Sequence, residues 1–441
     1  HGVSRWSVEV APGERINSFD GRAPNAERIW TALEREGLKG VAVHYPAAAF
    51  STVKSGFVVD GFGHPGYAST NYEIAAAQAY STSDVKETVD MDHDGTAVRQ
   101  SQFSVATIPT LSPAGKWVNL PESYRPPLES KIEIQARIGE EVTLFQILVL
   151  DSKGKGYDSI GIFREKNGST CIAKSSLGAW SNWTIETFRI DGFDQDASVR
   201  FKLLELAPDG SHLKVYRSQI TYTDGFTYPD ELASELIERF GPYQEHASMT
   251  PYTSGMADFE TALEECEYQG LWFAKVANYM LLERGCSFFI CHWHLYDYLN
   301  HIHLNDVDPV CPGYDSGSAD KYIDYFRRAY QVGDRILADI WKEVDKETYI
   351  GILSDHGASP DVRIVNIRKF LHEKGFIALK SGTEGVEYDI VLEKDLDWKK
   401  TKAFLKDDKG FDIYINASPG EIFNEIERDL LLALRTWIDN E

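Results

Sequence analysis

The stretch Ser287-Phe288-Phe289-Ile290-Cys291-His292-Trp293-His294-Leu295-Tyr296-Asp297-Tyr298-Leu299-Asn300-His301 begins as a short apolar run and continues at helical spacing. That pattern reads as a buried strand, Ser287 to Cys291, that turns into a helix. Asp297 and His301 are four apart, so a helix stacks them on one face. His292, His294, His301 and His303 fall within 12 residues, although the chain holds only 12 histidines, and Asp297, Asp306 and Asp308 accompany them. Imidazole with carboxylate suits Zn²⁺ and related divalent ions. An isolated Asp-x-x-x-His is more often a polar turn whose side chains satisfy backbone groups, so the reading needs a second signal.

Residues 348–357 supply it. Thr348 to Leu353 reads as the next strand and ends in Ser354-Asp355-His356-Gly357. In an open α/β sheet the C-terminal ends of the strands are where ligands bind. Two Asp/His pairs at the ends of two consecutive strands point to two ions, about 4 Å apart, that clamp the attacking and leaving oxygens. The candidate metal ligands are Asp297, His301, Asp355 and His356.

Working outward, three zones separate by periodicity. In the first, residues 1–95, Asn25 to Gly37 reads as a helix followed by a buried strand, Gly40 to Tyr45, the unit of an α/β sheet. The second, 96–228, is predicted as a β-rich inserted cap. Ile132, Ile134, Ala136 and Ile138 alternate, strand-like runs follow at 143–150, 159–164, 183–190, 199–206 and 213–222, and turn signals such as Asn167-Gly168 separate them. In the third, 229–441, Phe259 to Met280 predicts one long helix, or two broken near Gly270. Helices over about 319–344 and up to Gly375 continue the βα pattern. The expected fold is therefore α/β, a mainly parallel sheet flanked by helices with a β-rich insertion.

Composition narrows the function. The chain has 441 residues, 45 Lys+Arg against 68 Asp+Glu and a net charge of −23. That excess repels a phosphate backbone, so binding to a nucleic acid polymer is not expected, whereas bound ions can reverse the field locally for a small phosphorylated substrate. No stretch reaches the ~18 apolar residues of a membrane helix. Five cysteines cannot all pair and read as reduced thiols, which leans towards the cytoplasm, with a secreted or periplasmic location left open. Gly61-Phe62-Gly63-His64-Pro65-Gly66 matches G-x-G-x-x-G literally, but Pro65 opens no helix, so it reads as a loop. Asp92-His93-Asp94-Gly95 reads as a solvated turn. Trp180 and Trp183 read as packing between cap and core ahead of a sugar- or base-stacking role. The absence of G-x-S-x-G argues against an α/β-hydrolase.

The order strand, Asp297-x-x-x-His301, helix, strand, Ser354-Asp355-His356-Gly357, then Asn366 opening a helix that ends at Gly375, resembles the alkaline phosphatase superfamily. Its type I phosphodiesterase/nucleotide pyrophosphatase branch is the most similar, and His1-Gly2-Val3 resembles the end of that branch's T-G-x-x-P-x-x-H-G-V segment. The resemblance implies an alkaline-phosphatase-like core and two divalent ions, generally zinc, with Mn²⁺ an alternative. It further implies a Thr or Ser nucleophile that forms a covalent phospho-enzyme intermediate. By motif, Asp355 and His356 would hold the ion that activates the nucleophile, and Asp297 and His301 the ion at the leaving oxygen. The family's first metal-binding Asp and its nucleophile lie upstream of H-G-V. Its last metal-binding His lies beyond the stretch resembling Phe411 to Asn416, and after His356 the only histidine is His372, inside a helix. The expectation is a chain incomplete at both ends, with no catalytic nucleophile of its own, weak metal binding and little turnover, whose full-length parent hydrolyses phosphoric esters. A phosphomutase, phosphonate hydrolase or sulfatase-like enzyme of the same fold stays open. So does a non-catalytic glycan- or partner-binding protein with a structural ion, and the oligomeric state is left open.

Overall fold

A computed structural model describes residues 26–46, 48, 53–61, 72–83, 105–360, 362, 366–381, 395–405 and 413–440, with the short strands 7–11, 14–17, 90–91 and 97–98. His1 to Val3, Phe62 to Gly66, Asp92 to Gly95 and Phe411 lie outside the described residues.

The helix Ile29–Arg35 leads into the strand Gly40–Val43, and between them Gly37 takes a left-handed φ of 73° that a side chain would resist. Gly40–Val43 is central in a four-stranded sheet, ordered Thr227–Tyr228, Phe57–Val59, Gly40–Val43, Phe288–Cys291. The last three strands are parallel and the first is antiparallel. Both faces are covered, which is why these strands read as continuous apolar runs. Val41, Val43, Phe57 and Val59 pack on Trp272, Phe273, Val276 and Met280 of the helix Phe259–Leu282. Ala42 and Val58 pack on Trp30 and Val53.

Phe259–Leu282 runs without a break at Gly270, so the expected two-helix alternative does not occur. Its N-terminus is capped by Asp258, whose carboxylate accepts from Thr261 N at 2.9 Å. Gly270 is there for closeness: a Cβ would sit 2.2 Å from Ile336 Cδ1 of the neighbouring helix Ser316–Trp341. That helix also supports the one carrying Asp297, Leu295–Val307, because the missing side chain of Gly333 leaves the space that the Tyr296 phenol fills.

The β-rich unit comprises a five-stranded antiparallel sheet, from Ser112–Pro113 through Cys171–Ser176, and two four-stranded sheets around one core. Ile132, Ile134 and Ala136 point into that core as the alternation predicts, whereas Ile138 is exposed. Two of its strands, Glu73–Ala75 and Gln78–Ser81, come from before residue 96 and pair with Ile220–Tyr222 and Leu213–Arg217. The unit is fastened to Phe259–Leu282 by a buried polar network. Arg200 lies over the rings of Trp180, Trp183 and Tyr268 at 4.0, 4.5 and 4.7 Å. It donates to Gln244 Oε1, while Gln244 Nε2 donates to the buried Glu265 at 2.8 Å. Trp180 Nε1 donates to Glu264 at 2.7 Å, so the Trp180 indole serves packing between cap and core.

The expected strand Thr348 to Leu353 is a correction. The segment joins no ladder among the described residues, and Tyr349 and Leu353 are 99% and 91% exposed. An apolar run becomes a strand only when a neighbour supplies its hydrogen bonds, and after Trp341 the chain turns at Asp345, whose carboxylate holds Glu347 N and the Thr348 hydroxyl. Asp355 and His356 therefore sit on an extended segment rather than at a strand end.

Replacing Gly333 with Ala forces Tyr296 out of its seat and is expected to destabilise the protein by about 1–3 kcal/mol despite alanine's better helix propensity. Urea denaturation of G333A measures this, and equal or greater stability would contradict the packing described.

Candidate functional site

The strand Phe288–Cys291 delivers the chain to the edge of the sheet, where Trp293 Nε1 anchors the following turn by donating to Cys266 O at 3.0 Å. His294 sits at the N-cap of Leu295–Val307 and Asp297 in its first turn, where the helix dipole favours an anion. The Asp297 carboxylate is the meeting point of three imidazoles. Oδ2 lies 2.8 Å from His294 Nε2, and Oδ1 lies 3.4 Å from His301 Nε2 and 3.8 Å from His356 Nε2. Asp355 Oδ2 is 3.7 Å from the same His356 nitrogen. The four residues singled out in the sequence, Asp297, His301, Asp355 and His356, thus share one locality.

His303 and Asp306 of the cluster pair away from Asp297. His303 is buried on another face of the helix, 2.6 Å from Asp306, 3.2 Å from the Tyr252 hydroxyl and stacked on Tyr322. Cys266, Cys286 and Cys311 are buried and no disulfide joins the cysteines.

In kind the four donors suit a divalent ion, and one pair, Asp297 and His301, also has the spacing of two ligands on one ion. Two ligands of a tetrahedral Zn²⁺ with bonds of about 2.0–2.1 Å lie roughly 3.3 Å apart, close to the Asp297–His301 separation. His356 Nδ1 lies 2.8 Å from its neighbour's carbonyl, Gly357 O, so donation there leaves the Nε2 lone pair directed at Asp297. Among the described residues, no three His, Cys, Asp or Glu close around a single point. The segment carrying Asp355 and His356 lacks a strand's anchorage, and these two side chains are 83% and 59% exposed.

Electrostatics separate the site into a charged rim and a neutral floor. Burial pushes the Asp297 carboxyl up, but hydrogen bonds and charge from His294 and His301 outweigh it and hold the carboxyl well below its usual range. Beneath lie three rings that sequence reasoning did not single out or left unassigned, His44 buried and His246 and His292 half-buried. His44 is pushed down to about 3 by burial and then by neighbouring His292. His246 falls to about 4 through burial and the nearby His294, and His292 to about 4 through burial and then His294. His44 lies one residue beyond Gly40–Val43, so the strand-end rule that found Asp355 could have found it. The buried Asp60, which accepts from the Tyr72 hydroxyl at 2.6 Å, follows Phe57–Val59 in the same way. His246 lies in a loop with no sequence signal.

For a histidine whose folded-state pKa is depressed from about 6.5, the unfolded chain takes the proton first. Its contribution to stability is complete above about pH 6.5 and is lost as pH falls towards 4. Between pH 6 and 4.5 unfolding should take up about two to three protons, each about 1.4 kcal/mol per pH unit. Urea midpoints across that range read the slope, and a flat profile would contradict the neutral floor.

Residues 211–420 match the family model described as Type I phosphodiesterase / nucleotide pyrophosphatase. No curated protein and no solved structure matches the chain. The stretch that carries Asp297, His301, Asp355 and His356 is therefore similar to the type I phosphodiesterase/nucleotide pyrophosphatase family, a match consistent with the alkaline phosphatase superfamily.

Proposed function

We propose that the protein is a metal-dependent hydrolase of phosphoric esters, of the phosphodiester or nucleotide pyrophosphate type, acting by two-metal nucleophilic displacement. The observation that carries this reading is the Asp297 carboxylate with His301 and His356 both within 3.8 Å, in a segment of a phosphodiesterase family. Asp297 and His301 would hold one divalent ion, and Asp355 and His356 the other, with Zn²⁺ the first choice and Mn²⁺ the second. When bound, the ions supply Lewis-acid neutralisation of charge on the phosphoryl oxygens and lower the pKa of the attacking hydroxyl.

The chain's own residues prepare that chemistry. His294, bonded to Oδ2, fixes the rotation of the Asp297 carboxylate so that Oδ1 faces His301 and His356. The depressed Asp297 pKa keeps the carboxylate ionised, ready to ligate, throughout the neutral range. The Thr or Ser nucleophile is assigned only by the family resemblance.

Asp297→Asn and Asp355→Ala should each lower metal-dependent cleavage of a chromogenic phosphodiester by at least about 100-fold, following the scale of lost ligation and its supports. Circular dichroism should stay unchanged. Turnover that survives both substitutions would contradict the proposal, and unfolding of Asp355→Ala would favour a structural ion instead.

A further inference from the structure

The buried ring of His44 lies between two backbone carbonyls from different parts of the chain. Nδ1 is 3.2 Å from His292 O and Nε2 is 3.0 Å from Glu245 O. The residue is only 8% exposed, and its ring packs on Phe273 at 5.4 Å between centroids. Its backbone is left-handed, with φ 50°, which costs a residue with a Cβ roughly 1–2 kcal/mol. The His44 N–H is tied to Val59 O at 2.7 Å. One residue thus joins three strand ends, those of Gly40–Val43, Phe57–Val59 and Phe288–Cys291, to the loop holding Glu245.

Of these ties, the one to His292 bears on the site. His292 opens the three-residue turn His292-Trp293-His294 from which the Asp297 helix starts, so the place of its carbonyl sets the start of that helix. A neutral ring has a single N–H to give. Glu245 O already accepts from Gln269 Nε2 at 2.9 Å, so the tautomer protonated at Nδ1 supplies His292 O and leaves Glu245 O with a donor.

We propose that His44 is a positioning residue for the candidate metal centre: its Nδ1–H holds the His292 carbonyl and so fixes the turn that presents His294 and Asp297. The inference rests on the hydrolase reading for its consequence, but not for its geometry. Side-chain replacement separates the two carbonyls, because an Asn amide nitrogen falls where Nδ1 lies and a Gln amide nitrogen where Nε2 lies. Asn also accepts the left-handed backbone.

The experiment compares wild type with His44→Asn, His44→Gln and His44→Phe. Two quantities are read: amide hydrogen exchange over residues 292–298 without metal, and Zn²⁺ affinity by calorimetry. His44→Phe and His44→Gln should speed exchange over the turn and weaken Zn²⁺ binding about 10–100-fold. His44→Asn should keep both within about threefold of wild type. A general packing role would put Asn and Gln on an equal footing, and that result overturns the proposal, as does unchanged exchange in His44→Phe. If His44→Phe does not fold, the Asn/Gln contrast decides alone. If wild type binds no Zn²⁺ that Asp297→Asn removes, the hydrolase reading fails, and the exchange data still decide the role of His44.

Discussion

A carboxylate taken partly out of water must be repaid by its neighbours, and Asp297 is repaid by imidazoles. Burial alone would raise its pKa, yet the His294 and His301 contacts reverse the sign. The rest of the site is arranged by this requirement. Asp297 sits in the first turn of a helix because a strand, an anchored tryptophan and an N-cap histidine bring it there, and His356 approaches from a distant part of the sequence. In the proposed function a divalent ion would share the charge that the histidines now share with the acid.

The same reasoning explains the long buried network between the β-rich unit and the sheet. Glu265 is fully buried and accepts from the Tyr216 hydroxyl and from Gln244, which in turn accepts from Arg200. Removing any one member would strand a buried polar or charged group, so the contact between the two parts is specific as well as apolar. Gln244 is adjacent to Glu245, whose carbonyl faces His44. The loop that seats the β-rich unit is therefore also the loop that lines the floor of the candidate site.

Much of this was legible in the sequence, and the exceptions have physical causes. The strand Phe288–Cys291 and the pairing of Asp297 with His301 followed from apolar runs and helical spacing, both local properties. Asn366 as a helix cap was equally local, and its side chain accepts from Lys369 N. The strands Cys171–Ser176 and Phe193–Val199 were not singled out, because the exposed half of each is polar enough to break a visible alternation. Thr348 to Leu353 failed in the opposite direction: its residues favour a strand, but a ladder is a property of two segments. His44 and Glu245 escaped notice because their roles depend on carbonyls more than 200 residues beyond His44 in the chain and on a buried loop, neither of which leaves a pattern in one sequence.

Anomalous diffraction from crystals equilibrated with Zn²⁺ tests the central claim most directly. The account predicts a peak within about 2.0–2.2 Å of both the Asp297 carboxylate and His301 Nε2, with a second beside Asp355 and His356. Zinc held only at the cysteines or at surface acids, with no peak beside Asp297 and its histidines, would contradict it.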